Sequence, residues 1–199
     1  MKIGIFGGSF NPPHKMHKKI ALDLIKKHYL DKVIFVPTGS KYKYKNNLLS
    51  DKVRLEMLKL MCIDNKDLDV SDYELKDHIV YTYETLNYFR NRYKDDEIYF
   101  ICGTDNLSYI DKWKKGEDIL SNNKLLVIKR NADDINTLLE KYKDYKDNII
   151  VTEIEENEIS STKIREMIYN NKRAADYLDE SVYSYIRENN LYRRWVYEL

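Results

Sequence analysis

Cysteine is nearly missing from this chain of 199 residues: only Cys62 and Cys102 are present, far apart and without a CxxC pair. That excludes a disulfide framework and a cysteine-built zinc site, and fits reduced thiols. An excess of either charge is missing as well, with 34 Lys+Arg set against 33 Asp+Glu for a formal charge of +1. Such a balance gives no whole-molecule attraction to nucleic acid or membrane, so neither partner is expected and any anion site must be local. Long apolar runs are lacking too. The opening MKIGIFGGSF has no apolar stretch of secretion-signal length, and nothing approaches the roughly 20 residues of a membrane span. A soluble cytoplasmic protein is the expectation. Two familiar phosphate-binding signatures are absent: there is no GxGxxG and no Gly-Lys-Ser/Thr loop.

What is present is an alternation of short apolar runs with longer helical patterns. Lys2–Phe6, Lys32–Val36, Glu97–Cys102, Lys124–Ile128 and Asn148–Val151 are β-branched or aromatic, as buried parallel strands are. Helices are expected over Lys15–His28, Asp51–Met61 behind a Ser50 cap, Tyr83–Tyr93 after Thr82, and Ile135–Tyr145 after Asp133 and Asp134. Thr162–Tyr169 and Ser181–Leu191 read as closing helices. The rhythm predicts an α/β fold in one domain over residues 1–199. Its sheet is doubly wound, mostly parallel and flanked by helices, with a small helical end from about residue 160. Gly39–Asn47 (GSKYKYKNN) reads as a basic, mobile loop. Arg193–Leu199 carries Trp195 and Val196, which dock either on the body or on a second subunit; a homo-oligomer is left open.

Two segments look built for an anion. Gly7-Gly8-Ser9-Phe10-Asn11-Pro12-Pro13-His14-Lys15-Met16-His17 follows a strand and opens a helix. Glycines let an anion approach main-chain N–H groups, prolines suit a helix start, and the helix N-terminus adds partial positive charge. His14 and His17, three apart, face one ligand on a first turn. A surface histidine pair is the bland alternative; a zinc site would need a third ligand that does not stand nearby. Late in the chain, Ser160-Ser161-Thr162-Lys163-Ile164-Arg165 supplies three hydroxyls at a helix start with a guanidinium one turn inside. Such groups bond phosphate oxygens, although a plain Ser/Thr cap has the same pattern. In a doubly wound sheet both segments would sit at carboxyl ends of strands, where ligands bind.

With these residues in view the chain resembles the HxGH nucleotidyltransferases. Gly7–His17 is similar to their GGSFNPPHxGH signature and Ser160–Arg165 to their SSTxIR motif. Arg54–Leu58, Tyr81–Leu86, Gly103-Thr104-Asp105, Lys112-Trp113 and Tyr185–Tyr192, in that order, narrow the resemblance to the bacterial nicotinate-nucleotide adenylyltransferases. The resemblance implies a Rossmann-like fold and transfer of AMP from ATP to nicotinate mononucleotide in NAD biosynthesis, with Mg2+ carried mainly by the ATP phosphates and no protein metal ligand. It also implies roles. His14, His17 and Arg165 would be catalytic. Gly7, Gly8, Ser9, Phe10, Gly103, Asp105, Ser160, Ser161 and Thr162 would bind ATP. Asn11, Lys43 or Lys45, Thr82, Tyr83, Trp113 and Arg130 would bind the mononucleotide. Core packing is the lesser alternative for Trp113 and Tyr109, and an ordinary solvated loop the alternative for Lys41, Lys43 and Lys45.

The chain departs from the family at three places. Met16 stands where the motif has glycine, and its flexible side chain either bends aside or narrows the ATP site. His78-Ile79-Val80 replaces a small, glycine-containing stretch, and no Pro-Gly follows Arg130. These departures leave two alternatives: a different acceptor, such as nicotinamide mononucleotide or phosphopantetheine, or a nucleotide-binding regulator without turnover.

Overall fold

A computed structural model describes residues 1–41, 48–130, 135–156 and 159–193. Six strands form one sheet: β1 (Lys2–Gly8), β2 (Lys32–Pro37), β3 (Leu68–Val70), β4 (Glu97–Gly103), β5 (Lys124–Arg130) and β6 (Ile149–Glu156). Their order is β3-β2-β1-β4-β5-β6 and every neighbouring pair is parallel. The chain winds outward from β1 to β3, then returns to β4 beside β1 and winds out the other way. The reversal opens a crevice at the carboxyl ends of β1 and β4.

Period-two alternation explains why these runs are strands. In β2, Val33 and Phe35 enter one apolar cluster while Ile34 and Val36 enter the other. In β4, Tyr99 and Ile101 face the first cluster, and Ile98, Phe100 and Cys102 face the second. Each fully buried large side chain contributes about 1.5–3 kcal/mol of transfer free energy, which outweighs any single polar contact in the sheet. Both faces must therefore be covered by helices.

The first face is covered by α1 (Lys15–Lys26), α2 (Asp51–Cys62), α7 (Ser161–Tyr169) and α8 (Glu180–Glu188); α3 (Thr82–Arg92), α4 (Thr104–Tyr109) and α5 (Gly116–Asn122) pack on the second. In α1, Met16, Ile20, Ala21 and Leu24 form the buried stripe. Ser50 caps α2, accepting from the Val53 N–H at 3.4 Å. Lys18 pairs with Asp179 at 3.1 Å, and Lys15 Nζ donates to the Asp176 carbonyl, so the end of the chain is tied to α1.

Several elements depart from the expectations. β3 is only three residues long and too short to show a period. Helix α4, of six residues, follows β4 with Gly103 as its N-cap, and α5, of seven, is marked by no pattern in the sequence. The helix expected over Ile135–Tyr145 ends earlier, as α6 (Ile135–Lys141), and gives way to a 3-10 turn over Lys143–Asn148. Residues 42–47 of the basic loop lie outside the described residues, as do Asp133, Asp134, Trp195 and Val196. None of the helices described is long and apolar enough to cross a membrane.

Candidate active site

β1 ends at Gly7 and Gly8, and the chain then turns through Phe10, whose φ of 46° lies in the left-handed region. That conformation is costly for a residue with a side chain, so the surroundings must hold it. Phe10 is buried, with its ring edge-on to Phe6, Phe35 and His17. Side chains from three other parts of the chain hold the loop. Arg54, fully buried on α2, donates to the carbonyls of Ser9 (2.8 Å), Thr38 (2.7 Å) and Leu49 (3.0 Å) and pairs with Asp51 at 2.5 Å. From α7, Arg165 Nη1 donates to the Asn11 carbonyl at 2.8 Å and Ser161 Oγ to the Pro12 carbonyl at 2.8 Å. Tyr192 donates its hydroxyl to Asn11 Oδ1 at 2.8 Å. The two candidate anion segments, some 150 residues apart, are thus bonded directly to one another.

Together they border a cleft of about 780 Å³. The loop from Gly7 to Asn11, His14 and His17 line one wall, continued by Ser160, Ser161, Thr162 and Arg165. The lining also includes the apolar Val80, Leu86, Phe100 and Trp113, together with Thr82 and Thr85. Asp105 and Arg130 complete the rim.

The histidines are paired. Their rings stack at 3.7 Å between centroids, and the His14 N–H donates to His17 Nδ1 at 3.2 Å. That bond makes His17 Nδ1 an acceptor, so in the neutral ring the proton resides on Nε2. Burial, then the charge of Arg130, lowers the His14 pKa to about 4. Burial, then His14 and Arg130, holds His17 well below its ordinary value. Both imidazoles are neutral at physiological pH. His14 Nδ1 is buried without a hydrogen-bond partner among the described residues, an omission that a ligand in the cleft would correct.

Arg130 Nη1 pairs with Asp105 at 2.8 Å, and its backbone N–H donates to Thr104 Oγ1. Gly103 ends β4 against this pair: a Cβ there would collide with the Asp105 carboxylate and the Arg130 Nε. Any larger residue there would have to displace the Asp105–Arg130 pair from its present position. Glu74 is buried and accepts from Thr85 Oγ1 at 2.7 Å, linking the segment before α3 to the helix.

Of the described residues singled out as site residues in the sequence, all line this one cleft except Tyr83 and Gly103. Tyr83 turns away: Lys115 Nζ lies 4.7 Å from its ring centroid, and the side chain packs with the second cluster. Gly103 does not line the cleft. Lys43 and Lys45 lie outside the described residues. Met16 points into the core, 4% exposed, and does not line the cleft. Trp113 both lines the cleft and packs edge-on against Phe100 at 6.2 Å, whereas Tyr109 is exposed. Both thiols are buried, which pushes each up to about 12, far from nucleophilic use. No group of three or more His, Cys, Asp or Glu is placed to hold a metal among the described residues.

Reasoning from sequence assigned no role to Arg54 or Tyr192. For Arg54 a signal was available: with Met57, Leu58 and Met61 it falls on the buried stripe of α2, at i, i+3, i+4 and i+7. A cation on an apolar stripe must find buried acceptors. Tyr192 falls in the Tyr185–Tyr192 stretch that carries the resemblance, but nothing in that stretch points to Asn11 as its partner.

Comparison with known proteins identifies the family. Residues 5–167 match the family described as cytidylyltransferase-like. A Clostridium acetobutylicum protein named "Probable nicotinate-nucleotide adenylyltransferase" is 40% identical over 197 residues, covering 96% of this chain and 98% of that one. Its namesake in Clostridium beijerinckii is 39% identical over 202 residues, covering 96% and 99%. Among solved structures, Plasmodium falciparum nicotinic acid mononucleotide adenylyltransferase complexed with NaAD is similar with a TM-score of 0.80. It is 22% identical, with 96% of this chain and 97% of that one covered. The structural likeness establishes the fold and the sequence relatives establish the kinship: this chain belongs to the nicotinate-nucleotide adenylyltransferase family.

Proposed function

We propose that this protein transfers AMP from ATP to nicotinate mononucleotide, releasing pyrophosphate and forming nicotinate adenine dinucleotide. The observation that carries the reading is the junction of the two anion segments. The Arg165–Asn11 and Ser161–Pro12 bonds place the α7 start and the histidine pair on one wall of one cleft. A triphosphate needs such a wall.

In the reaction, a phosphate oxygen of the mononucleotide attacks the α-phosphorus of ATP in line. The bond from that phosphorus to the bridging oxygen breaks, and the oxygen leaves with pyrophosphate. The nucleophile is already an anion, so no general base is needed; positioning and charge stabilisation carry the catalysis. His17, its proton held on Nε2, donates to an α-phosphate oxygen, where charge develops. Arg165 and the first-turn N–H groups of α7 take the outgoing β- and γ-phosphates. Ser160 caps α7, accepting from the Lys163 N–H at 3.2 Å, and keeps its hydroxyl proton for a phosphate oxygen. Mg2+ enters as part of the substrate, held by phosphate oxygens and water.

Arg130 we assign to the ATP side, since it pairs with Asp105 and its charge is felt by both histidines. Gly7, Gly8 and Ser9 supply backbone to the nucleotides, with Phe10 fixing their course from beneath. Asn11 borders the mononucleotide phosphate. Trp113 stands beside the pyridine ring, and the start of α3, at Thr82 and Tyr83, faces the ring's carboxylate through main-chain N–H groups. An anion is favoured at a helix N-terminus over a neutral amide, which supports nicotinate over nicotinamide. The buried course of Met16 removes the steric argument for a regulator without turnover.

The test is pyrophosphate release by purified protein with Mg–ATP and a panel of acceptors. Nicotinate mononucleotide should give the highest kcat/KM. A preference for nicotinamide mononucleotide would overturn the assignment of the α3 start, and no release with any pyridine mononucleotide would overturn the function.

A further inference from the structure

Asn11 joins more of the chain than any other residue of the loop. Its Oδ1 receives two donors, the Tyr192 hydroxyl at 2.8 Å and the Leu49 N–H at 3.3 Å, while its carbonyl receives Arg165 Nη1. The side chain is 2% exposed yet borders the cleft. Two donors on one amide oxygen decide which end of the amide is Oδ1 and which is Nδ2, and fix the plane between them. Of the two, the Leu49 bond is long, and the shorter one comes from 181 residues away. Tyr192 reaches it from just beyond α8, in a left-handed conformation (φ 61°) that a residue with a side chain adopts only when its surroundings require it. Burial pushes its phenol above the ordinary range, against the opposing charges of Arg165 and Arg54, so the group remains a donor at every pH of interest.

We propose that Tyr192 is a positioning residue for the transfer reaction: its hydroxyl orients the Asn11 amide, and through it the mononucleotide half of the cleft, from the far end of the chain. The proposal rests on the functional reading above. The hydroxyl contributes no atom to the substrates; it removes a rotational freedom from a group that touches one. Its loss should therefore appear in how the acceptor is held, not in how ATP is held.

Tyr192→Phe deletes the one oxygen and keeps the ring. A buried hydrogen bond of this kind corresponds to roughly a three- to tenfold effect in an equilibrium constant. The variant should raise KM for nicotinate mononucleotide by that factor, with KM for ATP changed less than twofold. In an Asn11→Ala background the same substitution should do nothing further, because the node through which it acts is gone. A lower Tm with both KM values unchanged, or effects that simply add in the double variant, would overturn the proposal. A readout independent of turnover keeps it separable from the function. The Asn11 side-chain NH2 resonances, identified by their disappearance in Asn11→Ala, should shift in Tyr192→Phe. Unmoved resonances sink the positioning role whatever the acceptor proves to be, and an inactive wild-type protein sinks only the functional reading.

Discussion

Acidification tests the electrostatics of the histidine pair, because the cleft holds His14 neutral against its ordinary tendency. In the folded protein its pKa is about 4, whereas the unfolded chain takes up the same proton near 6.5. Between those values the unfolded state binds more protons, so stability is fully present above pH 6.5 and is lost as the pH falls toward 4. Linkage with these two values gives a loss of about 2 kcal/mol at pH 5 relative to pH 7.5, and about 3 kcal/mol at pH 4. His17 is shifted in the same direction and adds to the loss. For a chain of this size, a urea slope of about 2 kcal/mol per molar turns the first figure into a midpoint shift of about 1 M. Carboxylates titrate in part of the same window, so the comparison is His14→Gln, which carries no titrating group at this position. Urea midpoints at pH 7.5 and pH 5 should differ by about 1 M more in the wild-type protein than in the variant. Equal differences would refute the claim that burial in this cleft holds the ring neutral.

Two substitutions test the assignments around the triphosphate. His17→Ala removes the Nε2 donor from the reacting phosphorus and should lower kcat by about 10²–10³-fold, with KM for ATP moved far less, as steady-state kinetics would show; a kcat within threefold of wild type removes His17 from the mechanism. Arg165→Ala should raise KM for ATP by about tenfold or more with a smaller effect on the mononucleotide, and Arg165→Lys should restore only part of it, since a lysine cannot serve the Asn11 carbonyl and a phosphate with one planar fork; equal effects on both substrates would count against its placement.

The sheet was legible because its strands are buried on both faces. Lys32–Val36 and Lys124–Ile128 show as unbroken apolar runs, and each extends only slightly in the structure. What escaped notice is short or held by distant partners. β3 has three residues and α5 has seven, lengths over which neither period can be counted. The cleft's walls were legible as motifs because backbone-rich anion sites demand glycine, proline and hydroxyl residues at set spacings. Their supports were not, since a buried hydrogen bond between Tyr192 and Asn11 leaves no local trace. Tyr83 shows the limit of a motif carried over residue by residue. It sits in the first turn of α3, yet its side chain faces Lys115 and not the cleft.

The charge layout explains why a site for two polyanions contains neutral histidines. Fixed positive charge comes from guanidinium groups, which cannot be deprotonated, and each is tethered before substrate arrives: Arg130 to Asp105, Arg165 to the Asn11 carbonyl. A protonated imidazole at His14 or His17 would have to stand in the same positive neighbourhood, stacked on another ring and away from water, and the pKa values of both fall for those reasons. The site gives up nothing by this. A neutral imidazole keeps its N–H far into the alkaline range, so a ring whose Nδ1 is occupied by a main-chain N–H remains a donor at Nε2 wherever the protein is folded. In the proposed reaction, binding strength would thus come from guanidinium groups whose charge never changes, and the donor assigned to the reacting phosphorus is one whose orientation, not its charge, has been fixed by the fold.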